Sequence, residues 1–212
     1  MLANPALHIA VFARAPTPGA AKTRLIPRLG AAGAARLQDR LTHMTLQRAC
    51  ALPDANVTLW VAGPLDDPSI MRAARTFGVA LRSQHGDDLG ARMLNAFEAT
   101  LGEPCPMLLI GTDCPAQTVA DLERARIALQ SSDVVLQPAE DGGYVLIGMM
   151  HPRRALFTNV AWGTDRVLDA TRRQAARHGI ALAEMPTTWD LDRPADLERA
   201  LELGLIDEAS LA

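Results

Sequence analysis

The loop from residue 14 to residue 24 combines three basic side chains with residues that shape its backbone. Arg14, Lys22 and Arg24 supply the charge, and Gly19 permits a tight approach of the backbone to a ligand. Fixed positive charge beside outward-facing N–H groups is what a diphosphate or triphosphate needs. The loop lacks the glycine patterns of P-loops and of dinucleotide-binding turns. A phosphate site of another kind is therefore predicted, with a solvated basic turn as the alternative.

Lys22 is the only lysine among the 21 basic residues of the chain. A coding bias toward arginine would replace lysine wherever the two side chains are equivalent. The remaining lysine is therefore expected where a compact ammonium does what a planar guanidinium cannot do. This composition strengthens the prediction that Lys22 contacts phosphate.

Three aspartates stand where carboxylates could hold a divalent cation. Asp113 follows the apolar run 107–111, and an ionised carboxylate at the end of a buried strand needs a partner. Asp190 and Asp192 are two residues apart, so extended backbone would turn both side chains to one side. The predicted ligands of Mg²⁺ or Mn²⁺ are Asp113 and one or both of the other two, one of which could instead serve as a general base. The alternatives are that Asp113 pins the following turn and that Asp192 caps the last helix.

The segment from Glu140 to Tyr144 contains two carboxylates, two glycines and the only tyrosine of the chain. Its Asp-Gly-Gly sequence signals a hairpin-like turn, which alone would explain the segment. The functional alternative gives Asp141 the role of a base or of a contact to a substrate that accepts a transferred group. In that alternative Gly142, Gly143 and Tyr144 contact the same substrate.

Two further segments and one cysteine complete the set. Residues 85–92 open a helix with glycines that would let a flat base approach the backbone. Trp162 precedes Thr164, which is expected to N-cap another helix. No histidine lies near Cys114 in the sequence. Cys114 is therefore predicted to be a small buried residue and not a nucleophile.

Short apolar runs alternate with longer amphipathic stretches along the chain. Strands are predicted at 8–13, 56–62, 79–83, 107–111, 134–137, 144–148 and 181–185. Helices are predicted at 31–52, 68–77, from Asp87 or Asp88 to 101, 118–130, 164–178 and 194–203. This alternation implies a three-layer α/β/α sandwich with a mostly parallel sheet. Ligands bind such sheets beyond the carboxyl ends of the strands, where the residues above are expected to lie.

The composition indicates one α/β domain over residues 1–212. The chain is 49% hydrophobic, 21% charged and 4% aromatic, with a net charge of −3 at pH 7. Interspersed charges argue against a nucleic-acid surface, and no apolar run reaches the about 18 residues of a membrane span. The N-terminus does not resemble a secretory signal, and three cysteines without metal-ligand spacing suit a reducing compartment. A cytoplasmic protein is expected, with its oligomeric state left open.

Six short motifs in a fixed order resemble a known family. They are Phe-Ala-Arg-Ala-Pro-Thr-Pro-Gly-Ala-Ala-Lys-Thr-Arg-Leu at 12–25, Asp-Leu-Gly-Ala-Arg at 88–92, Gly-Thr-Asp-Cys-Pro at 111–115, Asp-Gly-Gly-Tyr at 141–144, Trp-Gly-Thr at 162–164 and Asp-Leu-Asp at 190–192. From about residue 9 to residue 203 the chain resembles bacterial GT-A-like nucleotide-diphospho-sugar transferases, in the group called radical-SAM/selenodomain-associated transferase type 1. Each motif is weak alone, and the ordered set is specific.

The resemblance implies a Rossmann-like nucleotide-diphospho-sugar transferase fold, a nucleotide-bound donor and a divalent metal. Asp113 would hold the metal, and the segment 141–144 together with Trp162 would face the acceptor. Lys22, Asp113 and Asp141 are then the predicted catalytic residues. The residues implied to bind the nucleotide and its phosphates are Arg14, Gly19, Lys22, Thr23, Arg24, Gly86, Leu89 and Arg92.

Three functions are compatible with these residues. The first is glycosyl transfer from a nucleotide-diphospho-sugar to a small-molecule acceptor. The second is nucleotidyl transfer from a nucleoside triphosphate with release of pyrophosphate, because the Lys-Thr-Arg-Leu loop is also similar to guanylyltransferases that make molybdenum cofactor or phospholactate-guanosine intermediates. The third is nucleotide binding without catalysis, against which the retained carboxylates argue. For the enzymes, Lys22 and Asp113 are expected to face one cleft roughly 6–12 Å apart, with a metal-bound diphosphate between them.

Overall fold

A computed structural model describes residues 7–100 and 105–208. These residues form one seven-stranded sheet with the order β3-β2-β1-β4-β6-β5-β7. Every neighbouring pair is parallel except the two that involve β6, which runs antiparallel to β4 and to β5. The strands are β1 (Leu7–Arg14), β2 (Ala55–Ala62), β3 (Ala80–Ser83), β4 (Met107–Gly111), β5 (Val134–Pro138), β6 (Tyr144–Met149) and β7 (Leu182–Glu184).

Six α-helices connect or follow the strands in the described ranges. Two short 3₁₀ turns, Thr23–Leu25 and Arg154–Phe157, lie in the connections after β1 and β6. A search of the same residues finds no helix long and apolar enough to cross a membrane. The helices are α1 (Ile26–Ala51), α2 (Pro68–Phe77), α3 (Leu89–Thr100), α4 (Val119–Ala128), α5 (Val167–Arg177) and α6 (Pro194–Glu202).

Alternating strand residues divide the core between the two faces of the sheet. Val11 and Ile110 face a cluster completed by side chains of α1, α2 and α4. Phe12 and Leu109 face the opposite cluster, which includes side chains of α3 and α5. Helices therefore cover both faces, as buried parallel strands require. The predicted α/β/α sandwich with a mostly parallel sheet is confirmed.

Local signals fixed several elements correctly. Helix α2 and strand β4 have the predicted bounds. The Thr118 hydroxyl accepts from the backbone N–H of Asp121, whose carboxylate accepts from the N–H of Thr118, so the predicted capping box is present. At the start of α3, the N–H of Ala91 donates to Asp88 over 2.7 Å, in agreement with the expected cap. The predicted end of that helix, residue 101, lies outside the described residues.

The helix cap predicted at Thr164 and the alternative cap at Asp192 are both absent. Thr164 accepts from the N–H of Arg166 before α5 begins, and Arg166, not Thr164, is the N-cap residue. Asp192 does not cap α6, because the cap position is one residue later and Asp196 accepts from the N–H groups at positions 192 and 193. In both places the helix begins later than a cap at that residue would require, so the cap position falls at Arg166 for α5 and at Arg193 for α6.

Helix α1 begins earlier than predicted, at Ile26 instead of residue 31. Its first turn is separated from the rest by Gly30, whose φ of 69° and ψ of 166° are not helical. The uninterrupted helix therefore begins after Gly30, where the alanine-rich periodicity of the sequence also begins. This first turn directly follows the loop that carries Lys22, so it ties the loop to the body of the helix.

Candidate active site

Strands β1 and β4 form the point at which the order of the sheet reverses. From β1 the chain proceeds outward to β2 and β3, and it then returns to place β4 on the other side of β1. Phe12 pairs with Gly111 near the ends of both strands, so the connections that follow them leave the sheet side by side. Crevices at the carboxyl ends of strands beside such a reversal are where open α/β sheets bind ligands.

Lys22 lies at this crevice in a left-handed backbone conformation, with φ 47° and ψ 45°. Its side chain is only 3% exposed, and its ammonium contacts Asp113 Oδ1 at 2.8 Å and donates to the carbonyl of Leu191 at 2.5 Å. A non-glycine residue held in this conformation stores about 1–3 kcal/mol of strain, which the surrounding contacts must offset. The loop after β1, the loop after β4 and the segment before α6 therefore meet at one ammonium group.

The expected separation of 6–12 Å between Lys22 and Asp113 was wrong. The two groups form a direct ion pair, with 2.8 Å between Nζ and Oδ1. A buried ammonium needs acceptors for its protons, and the half-exposed carboxylate of Asp113 supplies one of them. The two residues share one crevice, as the sequence predicted, but any ligand that enters between them must first replace this contact.

The two arginines predicted beside Lys22 differ in their partners. Arg24 forms an exposed ion pair with Asp192, one of the predicted metal ligands. Arg14 is exposed at the end of β1, and its side chain makes no hydrogen bond or ion pair with residues 7–100 or 105–208. Arg14 is therefore the predicted phosphate-binding cation whose guanidinium is available without breaking an existing contact.

Asp190 is surrounded by other carboxylates. The pKa of its carboxyl is raised to about 6 by burial, together with the negative charges of Asp141, Asp113 and Asp192. These four aspartates come from three separate segments, after β4, after β5 and after β7. The fold thus brings three of the sequence motifs into one acidic neighbourhood beside Lys22.

The acidic neighbourhood does not form a finished metal site. In the described ranges no three Asp, Glu, His or Cys side chains are arranged to hold a metal ion. Asp113 and Asp192 contact Lys22 and Arg24 instead. The donor set nevertheless suits a hard divalent cation, because it consists of carboxylate oxygens.

The turn between β5 and β6 presents Asp141 at the same edge. Asp141 is exposed and accepts from the N–H of Gly143 at 2.8 Å, while Ala139 donates to the carbonyl of Gly143. A Cβ at Gly142 would lie 2.1 Å from the carbonyl oxygen of Asp165, so only glycine fits there. The segment is therefore a hairpin turn, as the structural alternative predicted, and it also directs a carboxylate toward the crevice.

Tyr144 and Trp162 form an aromatic wall behind that turn. Their rings meet edge to face at 6.4 Å, and Trp162 stacks on Phe157 at 6.2 Å. The Tyr144 hydroxyl and the Trp162 indole nitrogen are both buried. Burial raises the pKa of the Tyr144 phenol, so it stays protonated, although the nearby Thr171 hydroxyl acts in the opposite direction. The two residues shape the wall, and their contact with an acceptor stays a prediction.

The start of α3 lies against this wall. The guanidinium of Arg92 donates through Nε to the carbonyl of Gly86 at 3.0 Å, and Leu89 is exposed beside them. A Cβ at Gly90 would lie 2.2 Å from Nε1 of Trp162. The segment predicted to bind a base therefore touches the wall of the segment predicted to bind an acceptor. The sequence motif contained Gly90, but nothing local indicated that contact.

Three groups that contact the site were not predicted from the sequence. They are the main-chain carbonyl of Leu191 and the side chains of Arg48 and Gln38, all of which contact the loops around Lys22 and Asp113. Cys114 is buried, and burial raises the pKa of its thiol, in keeping with the prediction that it is not a nucleophile. Long-range contacts alone reveal these roles.

Comparison with known proteins adds a family and several structural relatives. Residues 45–164 match the family described as "Uncharacterized protein conserved in bacteria (DUF2064)". No curated protein sequence matches the chain. A protein of Desulfovibrio desulfuricans G20 that is assigned as a nucleotide-diphospho-sugar transferase is 28% identical, with a TM-score of 0.84 over 93% of this chain and 87% of that one.

Two more distant structures share the fold. A cytidylyltransferase of Leptospira borgpetersenii is 13% identical, with a TM-score of 0.61 over 98% of this chain and 92% of that one. Glucosyl-3-phosphoglycerate synthase of Mycobacterium tuberculosis, solved with Mn²⁺, uridine diphosphate and glucosyl-3-phosphoglycerate, is 12% identical, with a TM-score of 0.59 over 99% of this chain and 79% of that one. At these identities the likeness concerns the fold.

Proposed function

The chain belongs to the DUF2064 family, and from that premise we propose that it transfers a glycosyl group from a nucleotide-diphospho-sugar to a small-molecule acceptor with the help of Mg²⁺ or Mn²⁺. The prediction of an enzyme of the transferase class is supported by the relative of Desulfovibrio desulfuricans, which is assigned as a transferase. The choice of glycosyl transfer is supported by the 28% identical protein assigned to that class.

One observation carries this proposal. At the carboxyl ends of β1 and β4, where the strand order reverses, a buried ammonium meets a neighbourhood of four aspartates. A nucleoside diphosphate together with a divalent cation has both charges that such a site requires, because phosphate oxygens pair with cations and the metal pairs with carboxylates. A neutral substrate would pair neither with the ammonium group nor with the carboxylates.

In this proposal the donor phosphates bind beside three cations. Arg14 is free to contact them directly, since its guanidinium has no partner among the described side chains. Lys22 and Arg24 would exchange Asp113 and Asp192 for phosphate oxygens, which frees those carboxylates. The ion pairs of the structure thus keep each charged group oriented until the donor arrives.

Asp113 and Asp190 are the residues that would hold the divalent cation, with Asp192 available once Arg24 leaves it. Bound there, Mg²⁺ or Mn²⁺ would neutralise the charge that develops on the departing nucleoside diphosphate. Lys22 supplies fixed positive charge to the same leaving group, because its buried side chain has little freedom to move away. These residues therefore serve the leaving side of the reaction.

In this proposal the acceptor binds opposite the leaving nucleoside diphosphate, at the turn between β5 and β6. Its attacking oxygen would form a bond to the anomeric carbon of the sugar as the bond from that carbon to the phosphate oxygen breaks. Asp141 is exposed there and would take the proton of the attacking hydroxyl. Gly142 and Gly143 keep the backbone close to the acceptor, in front of the aromatic wall. The nucleoside base would lie over residues 86–92.

A binding panel followed by product analysis tests the proposal. Nucleoside diphosphates, nucleoside triphosphates and nucleotide-sugars are each added with Mn²⁺ or with EDTA, and Tm is measured. We expect at least one nucleotide-sugar to raise Tm with Mn²⁺, because a ligand that binds the folded state stabilises it by mass action. Incubation with that donor and candidate acceptors should release a nucleoside diphosphate.

Other results would identify another function. Release of pyrophosphate from a triphosphate would replace glycosyl transfer by nucleotidyl transfer. Tight nucleotide binding without any product would indicate a binding protein. If no nucleotide changes Tm with or without Mn²⁺, a nucleotide-linked transferase is excluded.

A further inference from the structure

Arg48 reaches the loop after β4 from the far end of helix α1. It lies in the last turn of the helix, and its guanidinium donates through Nη1 to the carbonyl of Cys114 at 3.2 Å and through Nη2 to that of Pro115 at 2.6 Å. Both acceptors follow Asp113 directly in the chain. One side chain therefore holds the two peptide groups next to the acidic residue that contacts Lys22.

This loop has few other ways to fix its shape. Asp113 is beyond the last ladder contact of β4, and Pro115 has no backbone N–H to donate. The carbonyl of Asp113 accepts from the N–H of Leu191 at 2.7 Å, and the carbonyl of Cys114 accepts a long backbone bond of 3.4 Å from Gln117. Arg48 thus supplies donors that regular secondary structure does not provide here.

Helix α1 also touches the loop on the other side of Asp113. The Gln38 amide donates to the Thr112 hydroxyl at 3.0 Å, and that hydroxyl lies 3.4 Å from Asp113 Oδ1. Gln38 and Thr112 are each only 3% exposed, so this contact is sealed from solvent. The two contacts of α1, at Gln38 and Arg48, lie on either side of Asp113 in the loop sequence.

We propose that Arg48 is a positioning residue for Asp113, acting through the carbonyls of Cys114 and Pro115, with Gln38 as its partner on the opposite side of the loop. The inference rests on the proposed function for its meaning, because Asp113 matters there for the donor and the metal. An arginine suits this position, since its planar fork reaches two carbonyls at once. A lysine at this position would keep the positive charge, but its single ammonium group would not span both carbonyls.

The test compares Arg48→Met and Arg48→Lys with Gln47→Met, a control at an exposed neighbour on the same helix. The probe is Mn²⁺ with whichever of ADP, CDP, GDP and UDP gives the largest Tm shift, titrated by calorimetry well below Tm. Loss of a residue that orients a metal-binding group costs about 10-fold in affinity or more. We expect that loss for Arg48→Met, a smaller loss for Arg48→Lys and none for the control.

A second measurement does not depend on any ligand. The N–H of Leu191 donates to the carbonyl of Asp113, so its hydrogen exchange reports the position of the loop. We expect faster exchange at Leu191 in Arg48→Met, with α5 unchanged. Wild-type affinity and wild-type exchange in folded Arg48→Met would overturn the inference.

The two measurements separate the two proposals. If the wild-type protein binds no nucleotide with Mn²⁺, the proposed function fails, and the exchange at Leu191 still decides whether Arg48 positions the loop. If Arg48→Met does not fold, Arg48→Lys carries the test by the same two readouts. Unchanged exchange and affinity in that variant then count against Arg48.

Discussion

The carboxyl edge of the sheet and the helix ends of α2 and α4 use charged residues in opposite ways. At the helix ends, Asp67 accepts from two backbone N–H groups and Thr118 forms a reciprocal box with Asp121, so each group satisfies its nearest neighbours in sequence. At the edge, Lys22 has left-handed backbone and Asp190 is crowded by other acids. Residues held against local preference indicate a site kept for function.

The strongest test of this contrast is Lys22→Met. The carbonyl of Leu191 would lose its hydrogen-bond donor, and the carboxylate of Asp113 would lose its ion-pair partner. The variant therefore removes the ammonium group at which three segments of the site meet. We expect the free energy of binding of the nucleotide-sugar to weaken by roughly 2–4 kcal/mol, as when other preorganised charged side chains are removed. Arg72→Met is the matched control, because Arg72 pairs with Asp39, is not among the residues proposed to bind the donor, and its ion pair should contribute less than about 1 kcal/mol. Equal losses in the two variants would contradict the contrast, and calorimetric titration with Mn²⁺ measures them.

The variant Asp190→Asn tests whether burial among other carboxylates makes Asp190 destabilising, through the pH dependence of the free energy of unfolding. The folded pKa of Asp190 is about 6 and its ordinary value is 3.8, so the folded protein binds this proton more tightly than the unfolded chain. The group therefore favours folding below pH 3.8, and that contribution is lost as pH rises through 6. The Asn variant should be more stable than wild type by about 1 kcal/mol at pH 7.5, a figure reduced for partial solvent exposure.

The measurement for Asp190→Asn is urea unfolding in EDTA at pH 4 and pH 7.5. The advantage of the variant should be present at pH 7.5 and nearly absent at pH 4. A variant that is less stable than wild type at pH 7.5 would show that the carboxylate is favourably paired, and the edge would then resemble the helix ends.

The smallest expected effect lies at the helix end itself. Thr118→Ala removes one half of the capping box and should lower the free energy of unfolding by about 1 kcal/mol, with Thr118→Ser retaining most of it. Donor binding should be unchanged, because the Thr118 side chain contacts Asp121 and not Asp113, although Thr118 follows Asp113 by only five positions. Weaker donor binding in a fully folded Ala variant would show that the two regions are coupled.

Elements defined by nearby residues could be predicted from the sequence. The bounds of α2 and β4 and the box at Thr118 depend on patterns within a few positions, and they were right. The cap predicted at Thr164 was wrong, and Asp192, the alternative cap of α6, does not cap it. Helices α5 and α6 begin later than these caps would require, so their cap positions fall at Arg166 and Arg193. Local signals therefore locate an element better than they choose its capping residue.

The site could be predicted only in part for a related reason. The rule that ligands bind at the carboxyl ends of strands was enough to bring Lys22, Asp113 and the Asp190 segment together. It gave no distance, and the direct contact of Lys22 with Asp113 follows from the burial of the ammonium, which the sequence does not encode locally. The roles of Arg48 and Gln38 depend on contacts with residues 66 or more positions away.

The reversed direction of β6 has a consequence for how this fold can diversify. Because β6 is antiparallel to β5, the chain leaves the sheet and re-enters it through five residues at one edge, without a helix crossing a face. Replacing the exposed side chains of Glu140 and Asp141 would alter what meets an incoming molecule, while Ala139 and Gly142 must stay as they are because one is buried and the other has no room for a Cβ. Two exposed positions on a turn that the core holds in place can therefore vary without any change in the layers beneath them.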